Sequence, residues 1–220
     1  VPARPWTSPS GIEAWELPKR GEEGWQPTNP HELTVLTKTL NDAEHFDGNY
    51  VRTVKLLRQT RRSLMRKRRP GGLTVEIAAL HAFNTGLVAG PTPADYYVTA
   101  LRQTANILYT AFVLGFELDD PTIPGEKVVV RGEDDDKHDL ATRFAEAAGK
   151  AEEALAMSSD DRCAAARIFR DLLGEAVDDR GDTGHVFPTP DDCNADGTAK
   201  RFATVTAGDR LVPAGNRRFG

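Results

Sequence analysis

Nine cationic side chains and no acidic one lie between Tyr50 and Arg69, and they offer the clearest chemistry in the sequence. They are Arg52, Lys55, Arg58, Arg61, Arg62, Arg66, Lys67, Arg68 and Arg69. Ammonium and guanidinium groups bind phosphates and carboxylates. The whole chain carries a net charge of −5, so its other residues sum to −14. A general nucleic-acid binder is usually basic overall, and we therefore expect a local site for an anion instead.

The charged residues and histidines of the sequence also have purely structural interpretations. Lys55 can be a surface lysine whose stem lies along apolar neighbours. The cluster from Arg61 to Arg69 can be a solvated, salt-bridged face or a contact between domains. Asp134, Asp135 and Asp136 precede a helix instead of alternating on a strand, which favours capping over metal binding. The five histidines share no ligand spacing with the two cysteines, so we expect no metal site.

The cationic run is predicted to lie on a helix that continues to Pro70. Its apolar residues recur at helical spacing, at Tyr50, Val54, Leu57, Leu64 and Met65. Pro70-Gly71-Gly72 predicts the end of this helix, and Thr74 can cap a second helix from Val75 to Phe83. This second helix is apolar nearly all round and should be buried. Its Glu76 then needs a partner, most simply an arginine of the basic helix.

Composition divides the chain into three parts and predicts a mainly α fold. Residues 1–28 contain all three tryptophans and read as an extended segment. Residues 29–177 read as a helical bundle of about six helices. Residues 178–220 are rich in Gly, Pro, Asp and Thr and predict an irregular or disordered tail.

Start and stop signals give the expected bounds of the other elements. We expect a helix from the Asn29 cap to about Phe46, and a second that starts at Thr92-Pro93 and ends at Phe116. Two further helices are expected at Leu140 to Met157 and Arg162 to Leu173, the latter capped by Ser158 to Asp161 and ended by Gly174. A short extended run is expected at Val128 to Val130.

Cys163 and Cys193 lie in different kinds of segment, which argues against a disulfide framework and predicts a reducing compartment. Cys163 falls on the apolar side of an Ala-rich helix and is expected in the core. No apolar run is long enough to cross a membrane, and no signal peptide opens the sequence. We expect a cytoplasmic protein with no membrane partner. The first residue is Val1 instead of Met, which suggests a fragment.

Five motifs follow one another in a recognisable order. They are W-x-x-T-N-P (Trp25 to Pro30), V-R-x-V-K-L-L (Val51 to Leu57), V-E-I (Val75 to Ile77), D-P-x-x-P-G (Asp120 to Gly125) and F-R-D-L-L-G (Phe169 to Gly174). Over roughly residues 1–177 this succession resembles the C-terminal half of the cGAS/DncV-like nucleotidyltransferases. These are the CD-NTases of bacterial antiphage signalling, relatives of cGAS and the oligoadenylate synthetases.

The resemblance implies a helical lobe that packs against a palm domain and closes the nucleotide cleft. In the family, the palm holds the triphosphate at a Gly-Ser turn and binds two Mg²⁺ ions through acidic residues. This sequence contains no Gly-Ser turn and no pair of acids on an apolar strand. The resemblance therefore places the catalytic acids before Val1, in a palm joined in cis or present as a separate chain. It implies NTP and Mg²⁺ for the complete enzyme, and no catalytic or metal-binding residue in this chain.

The resemblance also assigns nucleotide-binding residues. The lysine of V-R-x-V-K-L-L contacts the donor triphosphate in relatives, and it falls on Lys55 here. Arg52 belongs to the same motif and is expected beside it. A serine just before the buried helix touches phosphate in some relatives; Gly72 occupies that position and leaves backbone N–H groups open to an anion.

Two functions of different classes follow. The first is the helical portion of a bacterial nucleotidyltransferase that makes a cyclic (oligo)nucleotide second messenger from NTPs in antiphage defence. The alternative is a non-enzymatic helical binding module whose basic helix docks an acidic partner or nucleic acid. Nucleic acid is not the favoured partner, since many bacterial members of the family need none.

Overall fold

The computed structural model describes residues 3–19, 23–177 and 181–200. The fold is mainly α, as predicted. The helices are α1 (Pro30–Asp42), α2 (Asn49–Met65), α3 (Gly72–Asn84), α4 (Pro93–Phe112), α5 (Asp134–Ala156) and α6 (Arg162–Leu173). The strands are β1 (Arg4–Thr7), β2 (Glu13–Pro18), β3 (Trp25–Thr28), β4 (Glu175–Val177) and β5 (Thr183–His185). No helix in these ranges is long and apolar enough to cross a membrane.

The N-terminal segment is a small antiparallel sheet in the order β1-β2-β3. Its register places Trp15 opposite Thr28. On the other face, the guanidinium of Arg4 lies 4.3 Å from the ring centroid of Trp25, and its Nε donates to Glu16 at 2.7 Å. The extended segment expected for residues 1–28 thus takes the form of a sheet where it is described; Val1, Pro2 and residues 20–22 lie outside the described ranges.

Side-chain caps start α1 and α4 where the sequence predicts them. The Glu32 N–H donates to Oδ1 of Asn29 at 3.1 Å. The Asp95 N–H donates to Oγ1 of Thr92, and the Thr92 N–H donates back to the Asp95 carboxylate at 3.0 Å, which completes a capping box. The start and end of α6 are also as predicted, with Gly174 at φ 60° just after its last residue.

Several other predicted bounds are wrong. The basic helix ends at Met65, because Arg66 takes φ 52°, and residues 66–69 form a loop. Helix α3 begins at Gly72, so Thr74 is a buried residue of the helix and not its cap. Helices α1 and α4 stop at Asp42 and Phe112, four residues earlier than expected in each case.

Two further predictions, for Asp134 to Asp136 and for Val128 to Val130, need correction. Asp134 to Asp136 form the first turn of α5 instead of capping it, since the cap is Glu133, whose side chain makes no capping bond. Val128 to Val130 form no strand; an isolated bridge joins Lys127 to Asp119 just before them.

One apolar core joins α2, α3, α4, α5 and α6. Two edge-on aromatic contacts lie at its α3 side, where the ring of Phe83 is 4.9 Å from Phe46 and 4.8 Å from Tyr50. Helix α5 contributes mainly small side chains, namely Ala141, Ala147, Ala148, Ala151 and Ala154. Because methyl groups take little space, α5 can lie close against the larger apolar residues of α4.

The expectation for the cysteines is wrong: Cys163 and Cys193 form a disulfide across 30 residues of sequence. Cys163 is buried as predicted, but it faces the returning tail. Strand β5 pairs with β4, and the ring of Phe187 lies 6.3 Å from that of Phe169 on α6. Over residues 181–200 the tail is therefore irregular apart from β5, yet packed against α6. Residues 178–180 and 201–220 lie outside the described ranges.

Phe83→Ala should strongly destabilise the fold, because Phe83 is only 1% exposed and contacts two other rings. We expect a loss of about 3–5 kcal/mol in the free energy of unfolding, measured by urea denaturation. The matched control is Phe116→Ala, since Phe116 is 63% exposed and should lose only about 0.5 kcal/mol. Equal losses would contradict this placement of the core.

Candidate anion-binding cleft

Helix α2 and the first turn of α3 border an open cleft of about 300 Å³. Its lining residues are Lys55, Arg58, Gln59, Arg61, Arg62 and Gly72. Lys55 and Gly72, two of the three residues expected at the nucleotide, thus line the same concavity. Arg52, the third, is exposed on α2 about one turn before Lys55 and does not line it.

Helical spacing explains how one helix supplies most of the cleft. Side chains three, four and seven residues apart share a face of an α-helix, so Lys55, Gln59 and Arg62 project from the same side of α2. The opposite side carries Val54 and Leu57, which are buried in the core. Burial of this apolar side holds the cationic face outward.

Arg58 lies against the start of α3 because residue 72 has no side chain. A Cβ atom on Gly72 would lie 3.1 Å from Nε and 3.6 Å from Nη2 of Arg58. Nη1 of Arg58 donates to Oε2 of Glu76 at 3.1 Å. The predicted pairing of Glu76 with an arginine of the basic helix is therefore confirmed, and Glu76 fixes the guanidinium at the cleft wall.

Arg61 has a structural task. Its Nε donates to the carbonyl of Pro70 at 2.8 Å, its Nη1 donates to that of Arg66 at 3.1 Å, and its Nη2 donates to that of Arg68. The guanidinium thereby closes the loop after α2. Burial lowers the pKa of Arg61, and the neighbouring charges of Arg69 and Arg62 lower it further. The contributions of Arg69 and Arg62 reflect the density of positive charge around this loop.

Gln59 joins the cleft to the end of α6. Its Nε2 donates to the carbonyl of Leu173 at 2.7 Å and to that of Glu175 at 3.1 Å. One turn further along α2, Oγ of Ser63 donates to the carbonyl of Asp171 at 3.4 Å. These bonds hold α6 behind the cleft and keep Gln59 in place as a wall residue.

Lys55 and Arg62 are the cations of the cleft that are free to bind a ligand. Within the described ranges, no carboxylate oxygen lies within 4.0 Å of either side chain, whereas Arg58 is paired with Glu76. Seven residues of helix separate the two cations by about 10 Å along the axis. The N-terminus of α3 at Gly72 adds backbone N–H groups and the positive end of the helix dipole. This arrangement suits an extended anion with several charges.

The acidic side chains outside the cleft pair with other cations or shape turns. Arg68 donates to Asp136 at 2.6 Å and to Asp139 at 2.7 Å. The carboxylate of Asp120 accepts from the N–H of Thr122 at 2.8 Å, which forms an Asx turn. In the described part of the chain, one group of side chains is close enough to hold a metal, Cys163, Asp192 and Cys193, and its thiols are joined in the disulfide.

The sequence interpretation missed Gln59 and Arg62 as cleft residues. They follow Lys55 at four and seven residues, so the helical period alone could have selected them. The roles of Arg58 and Arg61 required the loop after α2, whose path depends on the conformation of Arg66.

Comparison with known proteins adds no relative: the chain matches no protein-family model, and no curated protein matches it. The relationship to the nucleotidyltransferases stays a prediction from the five motifs.

A buried hydrogen bond positions α2, and its ionisation should be measurable. Oγ1 of Thr60 donates to the Leu56 carbonyl, so it accepts from the hydroxyl of Tyr97 at 2.7 Å. Burial raises the pKa of Tyr97 from 10.0 to about 12. Since this pKa is raised in the folded state, the associated stability is complete below pH 10 and is lost as the pH rises to about 12.

Tyr97→Phe should therefore lower the free energy of unfolding by about 1 kcal/mol at pH 9, and the deficit should shrink as the pH rises above 10. Urea denaturation across this pH range measures both effects. Tyr109→Phe is the matched control, because Tyr109 is 44% exposed. A pH-independent deficit for Tyr97→Phe would contradict the assigned shift.

Proposed function

We propose that this chain is the helical, nucleotide-closing portion of a cGAS/DncV-like nucleotidyltransferase, and that its cleft binds the triphosphate of the donor NTP. One observation carries the proposal. Lys55 and Gly72 were assigned to phosphate from separate parts of the sequence, and they line the same cationic cleft.

The charge and shape of the cleft support a polyphosphate ligand. Two unpaired cations and the N-terminus of a helix face one concavity, and a triphosphate distributes its charge over a comparable length. Larger cavities of about 430, 530 and 470 Å³ exist elsewhere. Those cavities expose more apolar than polar surface, so they offer less to a phosphate chain.

The proposal divides the binding of the triphosphate among four residues of the cleft and Glu76. Lys55 and Arg62 bind phosphate oxygens, Glu76 holds Arg58 beside them, and Gly72 lets the phosphates approach the backbone of α3. The Mg²⁺-dependent transfer that would build a cyclic oligonucleotide is assigned to acidic residues of a palm domain, in cis or on a separate chain. We assign the complete enzyme to antiphage signalling.

A second candidate function rests on a different observation. Arg66, Lys67 and Arg69 are exposed beyond the cleft, and none has a carboxylate within 4.0 Å among the described residues. Together with Arg62 they extend the cationic surface past the end of α2. This longer surface suits a binding module for an acidic protein or nucleic acid.

Lys55→Ala should weaken binding of Mg²⁺-free ATP about tenfold or more, because a charge-assisted hydrogen bond to phosphate is lost. Isothermal titration calorimetry of the chain measures the affinity, and circular dichroism checks the fold. Lys150→Ala is the matched control: it removes one charge from an exposed helical lysine on α5.

Equal affinities for Lys55→Ala and the unmodified chain would remove Lys55 from the site.

Binding to a single-stranded oligonucleotide separates the two candidate functions. If the module interpretation is right, oligonucleotide affinity should fall steeply with salt and with loss of Arg66, Lys67 and Arg69. It should then be insensitive to Lys55→Ala.

A further inference from the structure

Residues 186–200, which we call the strap, return along α6 and are joined to it by side-chain contacts and a disulfide. Three arginines of α6 bind the strap. Arg162 pairs with Asp192, Nη1 of Arg167 donates to the carbonyl of Asp196 at 2.9 Å, and Nη2 of Arg170 donates to that of Ala195 at 2.7 Å. The strap carries three acidic residues, Asp191, Asp192 and Asp196, and the carboxylate of Asp192 is the one that pairs with an arginine of α6.

The disulfide fastens the strap to the body without joining the core helices to one another. Cys163 lies in the first turn of α6, and Cys193 lies in the strap. Neither cysteine belongs to the apolar core that joins α2 to α6. The core should therefore survive loss of the bond, whereas the strap would keep only its hydrogen bonds, ion pairs and the contact of Phe187 with Phe169.

We propose that the Cys163–Cys193 disulfide is a redox-sensitive clasp that keeps the strap bound to the arginines of α6. A dithiol reductant transfers two electrons to the bond, so that Cys163 and Cys193 each become a thiol and the reductant becomes a disulfide. The two sulfurs are buried, with both residues below 5% exposed. Reduction therefore requires the strap to open locally before a thiolate can reach the bond.

The reduced chain loses a covalent constraint across 30 residues of sequence. The strap then samples undocked conformations, because the entropy of its free state is no longer restricted by the bond. Undocking releases the guanidinium groups of Arg162, Arg167 and Arg170 from the strap. The released arginines take an acidic peptide, since the segment that engages them in the oxidised state contains Asp191, Asp192 and Asp196.

Hydrogen exchange of the full chain tests the clasp. The backbone N–H groups of Cys193, Asn194 and Lys200 each donate within the strap and report its order. On reduction with a phosphine, or in a Cys163→Ser/Cys193→Ser variant, these amides should exchange at least about tenfold faster. Amides of α3 and α4 should change by less than about twofold, since the core remains packed.

Unchanged exchange in the strap would overturn the proposal, and so would comparable acceleration in α3 and α4, which would make the disulfide a staple of the whole fold. Alkylation followed by measurement of the intact mass must also show that the Cys163–Cys193 disulfide forms and breaks reversibly. Thiols that resist oxidation would overturn the proposal too.

A labelled peptide of residues 186–200, with serine at position 193, probes whether the arginines of α6 are free of the strap. It should bind the reduced chain and not the oxidised one, and Arg170→Ala should weaken that binding. Equal binding to both forms would contradict control by the clasp. Neither measurement involves the cleft at Lys55, so the clasp can fail while the proposed function stands, and the reverse.

Discussion

Mutual repulsion among the cations of α2 and its following loop is the constraint on which the rest of the structure depends. Like charges this close destabilise a helix unless they are paired, solvated or anchored by burial of the opposite side. Three sets of partners relieve the repulsion here. Glu76 of α3 takes Arg58, two acids of α5 take Arg68, and backbone carbonyls take Arg61. The cationic side chains that remain unpaired lie mainly at the cleft and just beyond it.

The partners that relieve this repulsion also build the fold around the cleft. The contact between Arg58 and Glu76 ties α2 to α3, and that of Arg68 ties the loop to α5. Such exposed or half-exposed pairs add little stability individually. Their effect is to fix orientation, while the apolar core supplies the free energy that keeps the elements together.

Local signals in the sequence were sufficient where a short-range interaction decides the structure. The caps of α1 and α4, both ends of α6, the turn at Asp120 and the partner of Glu76 could all be predicted from neighbouring residues or simple charge pairing. The end of α2 could not, because Arg66 adopts a positive φ of 52° that its residue type does not favour. The disulfide could not either, since it depends on a tail that folds back along α6. At the cleft, Lys55 and Gly72 came from motifs, whereas the wall residues required the packing of α6 on α2.

The alanines on the buried side of α5 have a consequence for motion. An alanine has no side-chain rotamers to lose or exchange, so sliding of α5 along α4 gains no alternative packing. Small side chains of α5 packed closely against the larger residues of α4 give one well-defined arrangement. Helices α4 and α5 should therefore move as a single rigid unit. Any opening or closing of the molecule must then occur elsewhere, in the connections that precede α2 or follow α6.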